Sequence, residues 1–329
     1  MANRPRLALL LPNQSVSFGA TTPSELLDMA QLAEASESFD AVFVGDNLFA
    51  RPRLESIVLL SAVAARTRRV KLGVACMASF PLRNPILLAA QWAALDNVSE
   101  GRTVLAACIG ASEFGANFDR EYKSFSIDPS DRVARLEEGI VVLRTLWTQA
   151  PANFAGKFFH FEELLVHPQP VQKPCPPIWI ANNPLGTGKP TIIQRAFERV
   201  GKLADGWMSV GVTPEQFGSS WRTIRSVADA AGRNSARMDS CIYYSINIGE
   251  NEDNAYAESQ KFLSAYYRSP NPISMRTIKL WVAGGPPERC AQKIRAFVDE
   301  GAQTVSLRFT SYDQPSQIRR FIKEVSPLL

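Results

Sequence analysis

The sequence predicts an α/β chain folded as a (β/α)8 TIM barrel with an insertion after strand four, and three observations carry that expectation. Short β-rich runs alternate with longer helical runs along the whole chain. Eight such strand runs can be counted, and several are apolar on both faces, as parallel strands covered by helices must be. A doubly wound open sheet uses the same units, but eight of them in succession favour the barrel. The chain has 329 residues with 46% hydrophobic and 21% charged content, and barrels reach this length as one domain. A single domain over 1–329 is therefore expected, with the insertion at about 112–176.

The strand runs lie at 7–11 (LALLL), 41–44 (AVFV), 70–76 (VKLGVAC), 103–109 (TVLAACI), 177–181 (PIWIA), 206–211 (GWMSVG), 241–248 (CIYYSINI) and 304–309 (TVSLRF). The first helix has a clear start: Thr22 can cap, Pro23 opens the first turn and Glu25 completes a capping box. Asn84 and Pro85 repeat the device. Within 131–149, Val133, Leu136, Ile140, Leu143 and Trp147 recur at spacings of three and four, so one helix face is apolar and packs on a sheet. The last helix is expected at 315–329.

Strand four ends near 109 and strand five begins near 177, a gap of about 67 residues where a compact βα unit takes about 30. The Pro-rich part, 156–177, predicts an excursion over the barrel with a short strand or two. A loop at 181–191 (ANNPLGTGKPT) follows strand five directly. Active sites of such barrels sit at strand C-termini, so both loops fall on the functional side.

Composition narrows the function. The net charge of +4 comes from 36 basic and 32 acidic residues with no long run of one sign, which gives no footprint for nucleic acid. Arg66, Arg68, Arg69 and Lys71 read as a solvated helix end. No apolar stretch approaches the roughly 20 residues of a membrane span, and the start lacks a signal peptide, so the cytoplasm is expected. Five scattered cysteines suit reduced thiols, and His160 and His167 have no partners at metal-ligand spacing, so no metal is expected. No GxSxG elbow is present for a Ser-His-Asp hydrolase, and no strand-end Lys stands ready for a Schiff base.

Asp46 and Asn47 follow strand two, Cys76 and Met77 follow strand three, and Ile109, Gly110, Ala111, Ser112 and Glu113 follow strand four. Amides, one or two carboxylates and small residues suit a flat redox cofactor, which brings its own reactivity. Asp46 could equally cap the following turn. In 181–191, two glycines, Thr187 and Lys189 can hold a phosphate through backbone amides and a helix dipole, although Gly and Pro mark any loop.

The run 65–110, with RT before strand three, LG inside it, NP opening a helix and an LD..S.GR turn, resembles the bacterial luciferase-like flavin-dependent oxidoreductases. FDAVFVGDN, GKFFHF, PQPVQKPCPPIWIA, ADGWM and GGPPERCAQKI agree in the same order. That resemblance implies a barrel with a large strand-four insertion, a homodimer, and reduced FMN or a deazaflavin coenzyme at the strand C-termini. It implies that Asp46 and Asn47 contact the ring and carry the catalytic positions, and that a non-prolyl cis peptide falls near Ala75 and Cys76. It places Gly110 and Ala111 at the ring's border, and Asn182, Asn183, Thr187 and Gly188 around the phosphate.

Two departures matter. Asn47 stands where many members carry His, and it cannot act as an acid or base near neutral pH. Ala111 stands where several deazaflavin enzymes carry Glu, with Glu113 two residues later. The resulting expectation is a two-component monooxygenase that uses O2 and reduced FMN from a separate flavin reductase on a small organic substrate. The alternatives are a deazaflavin-dependent hydride-transfer enzyme and a flavin-binding protein without turnover. Phe18, Phe114, Phe118 and Tyr122 are expected to give the substrate pocket an apolar lining.

Overall fold

Parallel strands need a crossover between each pair, and the chain supplies a helix for nearly every one. The computed structural model describes residues 4–110 and 116–329. In chain order the elements are β1 (Arg6–Leu11), α1 (Pro23–Ala35), β2 (Ala41–Asp46), α2 (Ser56–Arg66), β3 (Lys71–Met77), α3 (Pro85–Val98) and β4 (Thr103–Ala107). Next come α4 (Ala116–Ser124), α5 (Arg132–Thr148), β5 (Ala152–Ala155), β6 (His160–Leu164), β7 (Ile178–Ala181), α6 (Pro190–Leu203) and β8 (Gly206–Val210). The chain closes with α7 (Pro214–Ala230), β9 (Asp239–Ile248), α8 (Glu252–Tyr266), α9 (Met275–Trp281), β10 (Val282–Gly285), α10 (Pro287–Asp299), β11 (Thr304–Phe309) and α11 (Gln314–Arg320).

Eight parallel strands close the barrel in the order β1, β2, β3, β4, β7, β8, β9, β11 and back to β1. They are the eight strands the sequence predicts. β9 is long enough to serve twice, pairing with β8 through Asp239–Tyr243 and with β10 through Ser245–Ile248. β10 is a ninth strand that the sequence did not announce, because four residues reading VAGG show no period and little β-branching.

Alternation divides the core into two layers. Leu7, Leu9 and Leu11 of β1 belong to the layer under the helices, while Ala8 and Leu10 belong to a smaller inner cluster with Phe43, Val104, Trp179 and Met208. Phe43 meets Trp179 edge-on, with centroids 6.1 Å apart. Gly73 makes room for this pair, since a Cβ there would lie 2.7 Å from the Phe43 ring.

The caps form as expected. Thr22 and Glu25 close a capping box on α1, and Asn84 accepts the Ile86 N–H at the start of α3. Each such cap contributes about 1 kcal/mol. Arg69 reaches back to the carbonyls of Ala33, Glu34 and Ser36, so part of the basic patch closes the C-terminus of α1.

Between β4 and β7, α5 buries Leu136, Ile140, Leu143 and Trp147, and β5 and β6 form an antiparallel hairpin. The last helix is shorter than expected: α11 stops at Arg320 and gives way to a π turn over Phe321–Val325. Two registers slip, between Val44 and Asp46 and between Val74 and Met77, beside a cis peptide joining Ala75 to Cys76. The cis bond falls where the resemblance places it.

Candidate active site

The register slips open the C-terminal mouth of the barrel, and a cavity of about 1880 Å³ spreads over it. That volume exceeds the 300–1,000 Å³ of an ordinary ligand pocket, so it has room for a cofactor and a substrate together. Its walls include Asp46, Asn47, Ala75, Cys76, Gly110, Asn182, Asn183 and Thr187, which the chain thereby brings together from four strand ends. Gly188 closes a short 3-10 turn at φ +61° and is outside these walls. Ala111, Ser112, Glu113 and Phe114 lie outside the described residues.

Asp46 is buried and fully engaged. Its carboxylate accepts from the Ser56 hydroxyl at 2.8 Å, the Ser79 amide at 2.9 Å and the Ser79 hydroxyl at 2.5 Å, and pairs with Arg83 at 2.9 Å. Arg83 in turn holds Glu55 at 2.7 Å. Asp46 thus clamps the segment after β3 to the start of α2. Asn47 accepts the Arg51 N–H through its amide oxygen at 2.9 Å, which fixes the turn after β2.

On the β7 side, Asn182 takes the Trp207 indole N–H at 3.0 Å, and Asn183 donates to the Val210 carbonyl at 2.7 Å. The loop is therefore held by its own side chains. Gly110 sits at φ +70°, where a Cβ would come 3.1 Å from the Ala78 carbonyl oxygen, so the strand-four end needs glycine to turn. Cys76 and Cys108 face each other from β3 and the end of β4. Cys76 donates to Cys108 and is pushed up, whereas Cys108 is held down by that bond and by the N–H groups of Gly110 and Ile109.

The aromatic lining turns out otherwise. Phe118 and Tyr122 pack on Leu82, and Phe18 packs edge-on against Phe262, so none of the three faces the cavity. Aromatic side chains with apolar neighbours to hand bury there first. The cavity is instead cationic: among the described residues eight arginines line it against two carboxylates, Asp46 and Glu121. Glu121 spends its charge on the Phe49 and Ala50 amides, tying α4 to the loop after β2.

The sequence reading missed Arg308, Tyr243, Tyr266 and Tyr267. Arg308 is 3% exposed, donates to the Tyr267 hydroxyl at 2.9 Å and lies 4.0 Å from the Tyr266 ring centroid. Arg51 covers the Tyr267 ring at 4.9 Å, and burial beside Arg53 and Arg308 pushes Arg51 down to about 10. Burial alone would raise Tyr267, yet Arg308, Tyr243 and Arg51 together hold its phenol below the usual tyrosine range. One signal was available: in TVSLRF the apolar Val305, Leu307 and Phe309 alternate with Thr304, Ser306 and Arg308, which puts Arg308 on the inner face.

The fold has close counterparts. A monooxygenase from Streptomyces bottropensis superposes with a TM-score of 0.79 at 23% identity, covering 98% of this chain and 99% of that one. An F420-dependent secondary alcohol dehydrogenase, solved with an F420–acetone adduct, superposes at 0.83 with 18% identity, covering 99% and 100%. In sequence, an F420-dependent glucose-6-phosphate dehydrogenase of Nakamurella multipartita is 24% identical over 93% of each chain. The family model for luciferase-like monooxygenases matches residues 6–304, so the chain belongs to that family and is an oxidoreductase.

Proposed function

We propose that the chain is a deazaflavin-dependent oxidoreductase that moves hydride between that coenzyme and a small organic substrate without using oxygen. The observation that carries this reading is the charge of the cavity. FMN brings one phosphate, whereas a deazaflavin coenzyme brings a phosphodiester and a run of carboxylates. Arg120, Arg132, Arg195 and Arg199 line the side below α4, α5 and α6, and among the described residues only Arg199 has an ion pair, with Glu137. Similarity over 93% of the chain to F420-dependent dehydrogenases supports the same reading. The FMN and oxygen reading, which the sequence ranks first, becomes the second.

The residues present fit the coenzyme. Among the described residues Arg132 keeps a buried Nε without a partner, and the small residues Ala75, Cys76, Gly110 and Ala181 line the mouth. The deazaflavin, when bound, supplies the carbon that takes up or gives back a hydride. This chain orients it: the strand ends of β3, β4 and β7 support the ring, and the arginines of α4–α6 hold the tail. Asp46 acts by clamping the floor rather than by touching the ring, and the Asn47 amide nitrogen is a donor for a ring or substrate oxygen. On this reading residues 1–329 work as one domain in the cytoplasm, with α4 and the start of α5 from the insertion walling the cavity. A second copy of the chain is the expected partner, and no flavin reductase is needed.

Anaerobic titration with reduced deazaflavin and with reduced FMN, followed by admission of oxygen, tests the reading. Tighter binding of the deazaflavin and no oxygen uptake are expected. Preference for reduced FMN with rapid oxygen uptake would restore the monooxygenase reading.

A further inference from the structure

β11 stands opposite β4 in the ring of eight strands, four steps away in either direction. The tail-binding arginines and Arg308 therefore occupy opposite sides of the mouth. Facing those arginines across the mouth, the wall is formed by β9, β11 and the 266–270 segment. That is where Arg308 is.

Arg308 has an unusual balance of charge and partners. Its guanidinium is buried, and among the described residues it pairs with no carboxylate. Among the described residues its hydrogen bond goes to Tyr267 and its Nε has no acceptor. The Tyr266 hydroxyl, also buried, has no partner among them either. Three tyrosine rings surround the cation, at 4.8, 4.0 and 5.7 Å for Tyr243, Tyr266 and Tyr267. A buried cation left unpaired is costly, whereas a fork of N–H donors with a free Nε, set among tyrosine rings and beside the Tyr267 hydroxyl, matches an anionic oxygen group.

We propose that Arg308, with the hydroxyls of Tyr243, Tyr266 and Tyr267, forms a binding site for the anionic oxygen group of the substrate, a carboxylate or a phosphoryl group. Assignment of that anion to the substrate rests on the cofactor reading above; the anion site itself does not. Arg308 sets specificity here: a neutral isostere leaves its fork unsatisfied, which is the most effective ground for rejection in a buried site. Tyr267 responds to the same charge, because the cation that orients the anion also favours its phenolate.

The test is calorimetric titration of the full chain with benzoate, with inorganic phosphate and with neutral benzyl alcohol, with and without reduced deazaflavin. Saturable binding of benzoate or phosphate, with benzyl alcohol at least about tenfold weaker, is expected. Whichever anion binds more tightly identifies the group. Arg308→Met should weaken the anion by about tenfold or more and leave benzyl alcohol unchanged, and Arg308→Lys should fall between.

Equal binding of benzoate and benzyl alcohol would overturn the proposal, as would full anion affinity in Arg308→Met. Competition between the deazaflavin and the anion binding that Arg308→Met removes would also overturn it, by giving Arg308 to the cofactor's tail. A phenolate absorbance from Tyr267 at neutral pH would do the same, since Arg308 would then already have its counter-ion. Anion binding that survives in a chain unable to bind deazaflavin would retain the site while removing the cofactor reading.

Discussion

The two mouths of this barrel are built from the same kinds of residue and treat charge in opposite ways. At the N-terminal mouth, around a cavity of about 530 Å³, three arginines are matched to carboxylates, Arg6 to Asp239, Arg144 to Asp205 at 2.6 Å and Arg233 to Asp205 at 3.5 Å, while Arg69 spends its guanidinium on the carbonyls at the end of α1 and Arg237 has no ion pair among the described residues. Asp205 also receives the Ile178 N–H at 2.9 Å. At the C-terminal mouth Arg120, Arg132, Arg195 and Arg308 have no ion pair among the described residues. Of these four Arg308 alone is buried, and a buried cation without a carboxylate is the one that calls for a ligand. Barrel chemistry belongs to the C-terminal end for topological reasons, and here the charge balance says so independently.

The largest effect should come from the exception. Asp46 lies at the C-terminal mouth but is paired like an N-terminal residue, so Asp46→Ala takes one of two carboxylates from Arg83, which keeps Glu55, and leaves the Ser79 amide and hydroxyl without their acceptor. A loss of about 3 kcal/mol is expected, read as a lower denaturant midpoint. A variant as stable as the parent would move Asp46 from clamp to cofactor contact. Next, Asp205→Ala should cost about 2 kcal/mol, since its carboxylate is a third exposed and solvent repays part of the loss. Ligand binding at the far mouth should be unchanged.

Arg308→Met should behave in the reverse sense. Removal of a buried cation that has no counter-ion relieves desolvation, and the lost contact with the Tyr266 ring offsets only part of this. The ligand-free protein should be as stable as the parent or more stable by up to about 1 kcal/mol, while anion binding falls. A strongly destabilised Arg308→Met would mean that the tyrosines, not a ligand, satisfy the charge, and the contrast between the two mouths would disappear.

The sequence made the strands legible because period and capping are local. Eight alternating runs, the Thr22–Glu25 box and the Asn84 cap are each contained within a few residues, and all are present in the fold. Strand ends were legible for the same reason, which is why Asp46 and Asn47 were found, whereas the Ala75–Cys76 cis bond was expected only from the family resemblance. Partners distant in sequence were not. Arg308 has meaning only beside Tyr267, 41 residues away, and a pattern that puts an arginine on an inner face does not say what waits there. Aromatic residues misled in the opposite direction: Phe118 and Tyr122 occupy a cavity-side helix, yet Leu82 gives them a better place to bury than the ligand space does.

The smallest effect is spectroscopic, and it reports on the charge directly. Tyr267 faces Arg308 from β11, Arg51 from the loop after β2, Tyr243 from β9 and Tyr266 from the last position of α8, with Trp281 of α9 at 5.9 Å. Its phenol is held below the ordinary value of about 10, so a phenolate band should rise at a lower pH than in free tyrosine. Arg308→Met removes the leading cation and should move that rise upward, and Tyr267→Phe should abolish it. Because the folded pKa is depressed, the stability Tyr267 contributes exists in full only above the unfolded value of about 10 and vanishes as pH falls through the folded one. Below that folded value the phenol is neutral and adds nothing, and the positive charge of Arg308 then has no phenolate to offset it. A titration that does not differ between the parent and Arg308→Met would separate Tyr267 from that charge, and with it the basis for treating this side of the mouth as a cation in waiting.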